Sequence, residues 1–282
     1  MIKTAIPAFV TLLMFIIGAS LSADDFHRLK INGRDILIAI TGQLLLLPVI
    51  AWFLIYIFNP TPSIAVGILL IALTPGGAMS NYYSFTAKAN AALSVSITAF
   101  SSMLAAISLP LCLSAIFPLL FADIMMVNQS VHALAKTQAL QLFLFLIAPI
   151  SVGMLLRWLA PMFTQRILPT LETAGTAMLA ALLTAIFLRF HTLIAAEFKS
   201  LFMLATCFTA LSMMAATVIT FGRKLSDRAA IIIEFPVRNL AITSMVATTV
   251  FDSPEYLLFA AVFFVVQTPL MLAFIVWHRR QY

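Results

Sequence analysis

The chain has 282 residues, 63% hydrophobic and only 9% charged, with a mean hydropathy of +1.09. Soluble domains carry about a quarter charged residues, so the composition excludes a soluble enzyme or binding module and implies a polytopic membrane protein. The net charge of +6 does not point to nucleic acid, because the basic residues sit in short breaks between apolar runs, as in cytoplasmic loops.

A spanning helix needs about 20 apolar residues. Breaks at charge, Pro and Gly predict nine spans, at 3–22, 34–58, 63–87, 90–121, 133–158, 167–189, 198–221, 226–250 and 255–278. The first span has the basic start, apolar stretch and small residues of a signal peptide, but we read it as a retained helix. The third is interrupted by a break at 74–81 containing TPGG, and the eighth by EFPVRN at 234–239. Pro and paired Gly end a helix and free backbone groups that lipid cannot satisfy. Each break must then be buried in protein or face a watery cavity.

The basic residues also predict orientation. Arg28, Lys30, Arg34, Lys88, Arg157, Arg166, Arg223, Lys224, Arg228, Arg279 and Arg280 fall on one side of the nine spans, and Lys3, Lys136, Arg189 and Lys199 on the other. The richer side is cytoplasmic, so the C-terminus is inside and the N-terminus outside an inner or plasma membrane. Arg238 is the basic residue that no loop explains. The two broken helices then run antiparallel at matching places, the mark of an inverted repeat. We expect a first repeat at 1–121 with four helices, a connecting loop at 122–132 and a second repeat at 133–282 with five.

Cys112 and Cys207 lie inside apolar runs, with neither a disulfide framework nor metal-ligand spacing. The histidines, His27, His132, His191 and His278, fall at or beyond run ends. No catalytic pair or transition-metal site is expected, and the chain is not read as an enzyme.

The chemistry concentrates at the breaks. After TPGG the restarting helix presents free amides at Ala78, Met79 and Ser80, whose partial positive end favours an anion. Ser80 and Asn81 add side-chain oxygens, and Ser94 and Thr98, four apart, share one face of the next helix. If that face meets Ser80, Asn81 and Glu234, five oxygen-bearing side chains with one full negative charge form a cage suited to a hard cation such as Na⁺. Taken alone, Ser94 and Thr98 also suit plain helix packing. A carboxylate inside a bundle is functional by default and needs a partner. Arg238 is the candidate, as a neutralising salt bridge or in a transport role.

The stretch TPGGAMSNYYSFTAKANAALSVSITAFSSMLA resembles the bile acid:sodium symporter family, which carries a Pro-Gly-Gly-x-x-Ser-Asn break followed by an Ala-Leu-Ser-x-x-x-Thr helix. GQLLLLP (42–48) is similar to the family's glutamine-containing helix, and IEFPVRN (233–239) sits where the family has Glu-x-x-x-Gln-Asn. The resemblance implies an all-α membrane protein with core and panel domains and two broken, crossing helices. It fits the nine-helix form, with residues 1–26 aligned to the family's second helix. It also implies a first sodium site at Ser80, Asn81, Ser94, Thr98 and Glu234. The second site would fall on Gln43, Glu234, the carbonyls of Phe235 and Val237, and position 238, where Arg238 replaces the family's glutamine. A guanidinium has only donors and cannot ligate a cation, so the resemblance implies one Na⁺ per cycle rather than two. Substrate is implied near Ala78, Met79, Asn239 and Gln267.

The leading expectation is a secondary transporter that brings a small organic anion inward with sodium. The alternative on the same fold is proton coupling, cation/proton antiport or anion efflux. Antiport of that kind ordinarily uses an acidic pair, whereas Glu234 stands alone here. A non-transporting receptor or scaffold would have little use for two buried helix breaks with a charge pair. The expected partners are the lipid bilayer and the anion, with no nucleic acid.

Overall fold

The computed structural model describes residues 2–20, 23–113 and 147–281. The expected connecting loop at 122–132 lies outside the described residues, as do the end of the fourth predicted span and the start of the fifth. The described residues are helical almost throughout. In chain order they form α1 (Ile2–Ser20), α2 (Ala23–Phe58), α3 (Pro62–Leu73), α4 (Met79–Thr86) and α5 (Ala91–Leu111), then α6 (Ile147–Leu159). These are followed by α7 (Pro161–Ala196), α8 (Phe198–Ile219), α9 (Leu225–Glu234), α10 (Leu240–Met245) and α11 (Leu257–Arg279). A wider turn, Val246–Val250, continues α10. Two helices are longer than the spans expected from composition, and each bends at a non-helical residue, Asn32 in α2 and Phe190 in α7.

Among the described residues, five stretches are long and apolar enough to cross a membrane: Asn32–Phe58, Ala91–Leu111, Pro161–Ala196, Phe198–Ile219 and Pro254–Arg279. They differ in how much of their apolar surface the protein covers. In α5, 61% of the most apolar window is buried, against 17% in α7. α7 therefore offers its side chains to lipid, while α5 lies within the bundle against α2, α4 and α9. Lipid would also cover Tyr56, Trp158, Met162 and Phe221, each more than three-quarters exposed.

The interior joins α2, α3, α8 and α11. Phe208 meets Phe259 and Phe263 edge-on, with ring centroids 6.4 and 5.6 Å away, and all three are buried. Elsewhere small residues let helices touch. A Cβ on Gly18 of α1 would meet the Ile150 backbone of α6, and one on Gly153 would lie 2.6 Å from the Ala19 nitrogen. Backbone-to-backbone crossing of this kind is how helices associate where no hydrophobic drive separates them from lipid.

The two predicted interruptions are real breaks, and they meet. Thr74, before Pro75, is extended (φ −73°, ψ 153°) and ends α3, as the proline ring requires of its predecessor. α9 stops at Glu234, two residues short of Pro236, which has no N–H to continue the ladder. Gly76 and Arg238 then pair in antiparallel fashion. The Gly77 N–H donates to Val237 O at 2.9 Å, and the Asn239 N–H donates to Pro75 O at 3.0 Å. Each break thus supplies the other with the hydrogen-bond partners that a helix would have provided.

Candidate functional site

Around this crossing the structure gathers five oxygen-bearing side chains from three helices. Ser80 and Asn81 come from the first turn of α4, Ser94 and Thr98 from one face of α5, and Glu234 from the last residue of α9. Ser80, Ser94 and Glu234 are fully buried and Thr98 nearly so. Ser94 Oγ lies 3.0 Å from both Asn81 Oδ1 and Glu234 Oε2. Thr98 Oγ1 lies 2.7 Å from Glu234 Oε1, 3.2 Å from Asn81 Oδ1 and 3.2 Å from Ser80 Oγ. Ser80 Oγ in turn donates to Gly77 O at 2.8 Å.

The hydrogens do not suffice for these contacts. Three hydroxyl hydrogens serve six oxygen–oxygen approaches, so several set lone pair against lone pair. A hydroxyl supplies one hydrogen and two lone pairs, and a carboxylate supplies acceptors only. Gly76 closes one side, because a Cβ there would collide with Glu234 Oε1.

Arg238 occupies the far side of the crossing, and the salt bridge with Glu234, one of its two readings, is not formed. Among the described residues, Glu234 and Arg238 make no direct ion pair, whereas Arg223 and Asp35 do at 3.1 Å. The guanidinium instead donates from Nη1 to Gln43 Oε1 at 3.0 Å, from Nε to Ile71 O at 3.4 Å and from Nη2 to Thr74 O. Pro75 and the end of α3 leave those carbonyls free of helical partners, so the break itself provides the acceptors. Glu234 is held by hydroxyls and Arg238 by carbonyls and an amide, each charge solvated separately by the protein.

The remaining predicted residues are less closely gathered. Phe235 and Val237 are buried in the second break, and the Val237 carbonyl already accepts from Gly77. Ala78 is exposed and Met79 half-buried at the start of α4. Asn239 Oδ1 caps α10, accepting from the Ala241 and Ile242 amides at 3.1 and 3.2 Å. Gln267 is buried on α11 with no partner for Oε1, and α11 packs against both α4 and α10. No hydrogen bond joins these four residues to one another.

Sequence reasoning missed three sets of polar contacts. Thr74 lends its carbonyl to Arg238 and its hydroxyl to Thr243 at 3.4 Å; its place before a proline was the available signal. Asn90 caps α5 and donates to Asp227 Oδ1 at 2.7 Å. Asp35 pairs with Arg223. The last two sets look in sequence like ordinary solvated helix ends.

Comparison with known proteins places the chain in a family. The profile described as the sodium bile acid symporter family matches residues 7–197. The chain belongs to that family. The match takes in the first break and ends before the second. The chain is 37% identical over 110 residues to an uncharacterized sodium-dependent transporter, YocS, of Bacillus subtilis, covering 39% of this chain and 34% of that protein. It is 28% identical over 173 residues to a probable chloroplastic sodium/metabolite cotransporter, BASS2, of Oryza sativa subsp. japonica, covering 61% and 39%. It is 34% identical over 104 residues to a sodium-dependent organic anion transporter of Bos taurus, covering 37% and 28%. The chain thus spans well under half the length of these curated relatives. The family is one of sodium-dependent membrane transporters rather than enzymes, and this member is a multi-pass membrane protein.

Proposed function

We propose that the protein couples the entry of one Na⁺ to the uptake of a small organic anion by alternating access. The observation that carries this reading is the hydrogen-poor oxygen cluster around Glu234. A cation entering it would replace lone-pair contacts with ligand bonds, the hydroxyls of Ser80, Ser94 and Thr98 turning their oxygens inward beside Asn81 Oδ1 and the carboxylate. Oxygen ligands and one negative charge suit a hard monovalent ion. The sodium-dependent names of the relatives support the same ion.

Arg238, on this reading, stands in place of a second sodium. Its guanidinium takes oxygens from Gln43, Thr74 and Ile71, the kind of acceptor set a bound cation would otherwise collect. The anion would meet the amides of Ala78 and Met79, with Asn239 and Gln267 nearby. The architecture proposed with it is the nine-helix form, four helices in 1–121 and five in 133–282 related by an inverted repeat. The N-terminus lies outside the plasma or inner membrane and the C-terminus in the cytoplasm.

The test is the unfolding temperature of the purified protein in detergent as NaCl replaces choline chloride at constant ionic strength. A saturable, sodium-specific rise is expected, absent in Glu234→Gln, because a ligand that binds only the folded state stabilises it. A response to pH with none to sodium would sink the sodium reading in favour of proton coupling. Arg238→Gln is expected to bind a second sodium, seen as a steeper sodium dependence. An unchanged slope would count against the stand-in role.

A further inference from the structure

A small cavity lies beside Arg238, between α2, α5 and the first break, and none of the five residues of the oxygen cluster lines it. It measures about 20 Å³, room for one water-sized species. Gln43, Thr74, Ser101, Ser108 and Arg238 line it among apolar residues, and no carboxylate does; the Thr74 and Ser101 hydroxyls already donate to the Ile71 and Thr98 carbonyls. A guanidinium only donates, so Gln43 must present Oε1 to Arg238 and turn its amide N–H groups elsewhere. That Nε2 is buried with no acceptor, and so is Ser108 Oγ. Arg238 uses three of its five N–H groups on Gln43, Thr74 and Ile71, and the other two meet no acceptor among the described residues. Three donor-bearing side chains at this cavity, one fully charged, thus keep N–H or O–H groups without an acceptor. A water could accept from two of these donors. An anion accepts from all of them and cancels the charge.

We infer that this cavity is an anion subsite, sized for chloride or for one carboxylate oxygen of the transported solute, and that it fills when the Glu234 cluster holds Na⁺. The inference rests on the sodium reading of that cluster. With the cluster bare, Glu234 and Arg238 balance each other, and an anion beside Arg238 would meet the field of the carboxylate. Sodium neutralises Glu234 and leaves Arg238 uncompensated inside the protein, where a net charge is costly. An anion restores the balance. The empty and fully loaded carriers are then both neutral at the crossing, while either half-loaded form carries a charge. Linkage is reciprocal: the anion tightens sodium as sodium tightens the anion.

The experiment follows unfolding temperature against Na⁺ concentration in chloride, formate and gluconate, with the choline salt of the same anion holding ionic strength. Gluconate is too large for the cavity. The Na⁺ midpoint is expected to be at least about fivefold lower in chloride or formate than in gluconate, the lower end of ordinary coupling between sites. The difference should vanish in Arg238→Gln and shrink in Ser108→Ala, the second variant serving if the first folds poorly. An effect confined to chloride assigns a free halide, and an equal or larger effect of formate assigns a carboxylate. Equal midpoints in all three salts, with a sodium response that Glu234→Gln still abolishes, would overturn the anion subsite and leave the sodium site standing. No sodium response in any salt would overturn both.

Discussion

Thr98 makes the shortest approach to Glu234, at 2.7 Å, and also touches Asn81 and Ser80. A hydrogen bond to a charged group contributes about 1.5–3 kcal/mol, or roughly 10–100-fold in affinity. Thr98→Val is therefore expected to weaken sodium stabilisation by about that factor, and Thr98→Ser to restore it, both read from sodium-dependent unfolding temperatures. Gly76→Ala acts from the other side by pushing on the carboxylate. The expected product is folded, monodisperse protein with no sodium response; a normal response would show that Glu234 has room to move. Much of this cluster was legible in sequence, because the Ser94/Thr98 spacing, the Ser-Asn turn and the lone glutamate each carry their own signal. The environment of Arg238 was not. Its acceptors are mainly backbone carbonyls of Ile71 and Thr74, which leave no side-chain signature.

Among the elements, the turn between α4 and α5 is tied to the start of α9 more firmly than its composition suggests. Asn90 accepts from the Leu93 amide at 3.0 Å, donates to Asp227 at 2.7 Å, and its own N–H donates to Ser226 O at 3.0 Å. An N-cap contributes about 1 kcal/mol and a bond to a charged partner somewhat more. Asn90→Ala should lower stability by about 2 kcal/mol in denaturant titration, whereas Asp35→Asn, at the half-buried Arg223 pair, should cost no more than about 1 kcal/mol. If the Asn90 variant costs no more than the Asp35 one, the tie is ornamental. The helix ends hid this in sequence because Asn90, Asp227 and Asp35 are polar residues where polar residues are expected. α1 and α6 depend instead on absent side chains. Gly153→Leu would force apart backbones now in contact at Gly18 and Ile150. We expect reduced yield of folded protein, by fluorescence-detected gel filtration.

For the molecule as a whole, hydropathy marked the chain as helical and apolar, and punctuation located both breaks, because Pro and Gly mark where an apolar helix must stop. They left open that the breaks satisfy each other, since pairing between segments so distant in sequence has no local signal. That pairing bears on how the protein is made. Gly77 and Pro75 receive their partners, Val237 and Asn239, only when the second half of the chain arrives, on the order of ten seconds later at ordinary translation rates. Until then the first break would hold bare backbone groups in a medium that cannot hydrogen-bond them. A chain ending at Lys224 should consequently be inserted yet degraded quickly in pulse-chase, and co-expression of residues 225–282 as a separate chain should rescue it. On that outcome the nascent first half would be a client of whatever shelters unfinished membrane proteins, its release waiting on the ribosome rather than on its own folding.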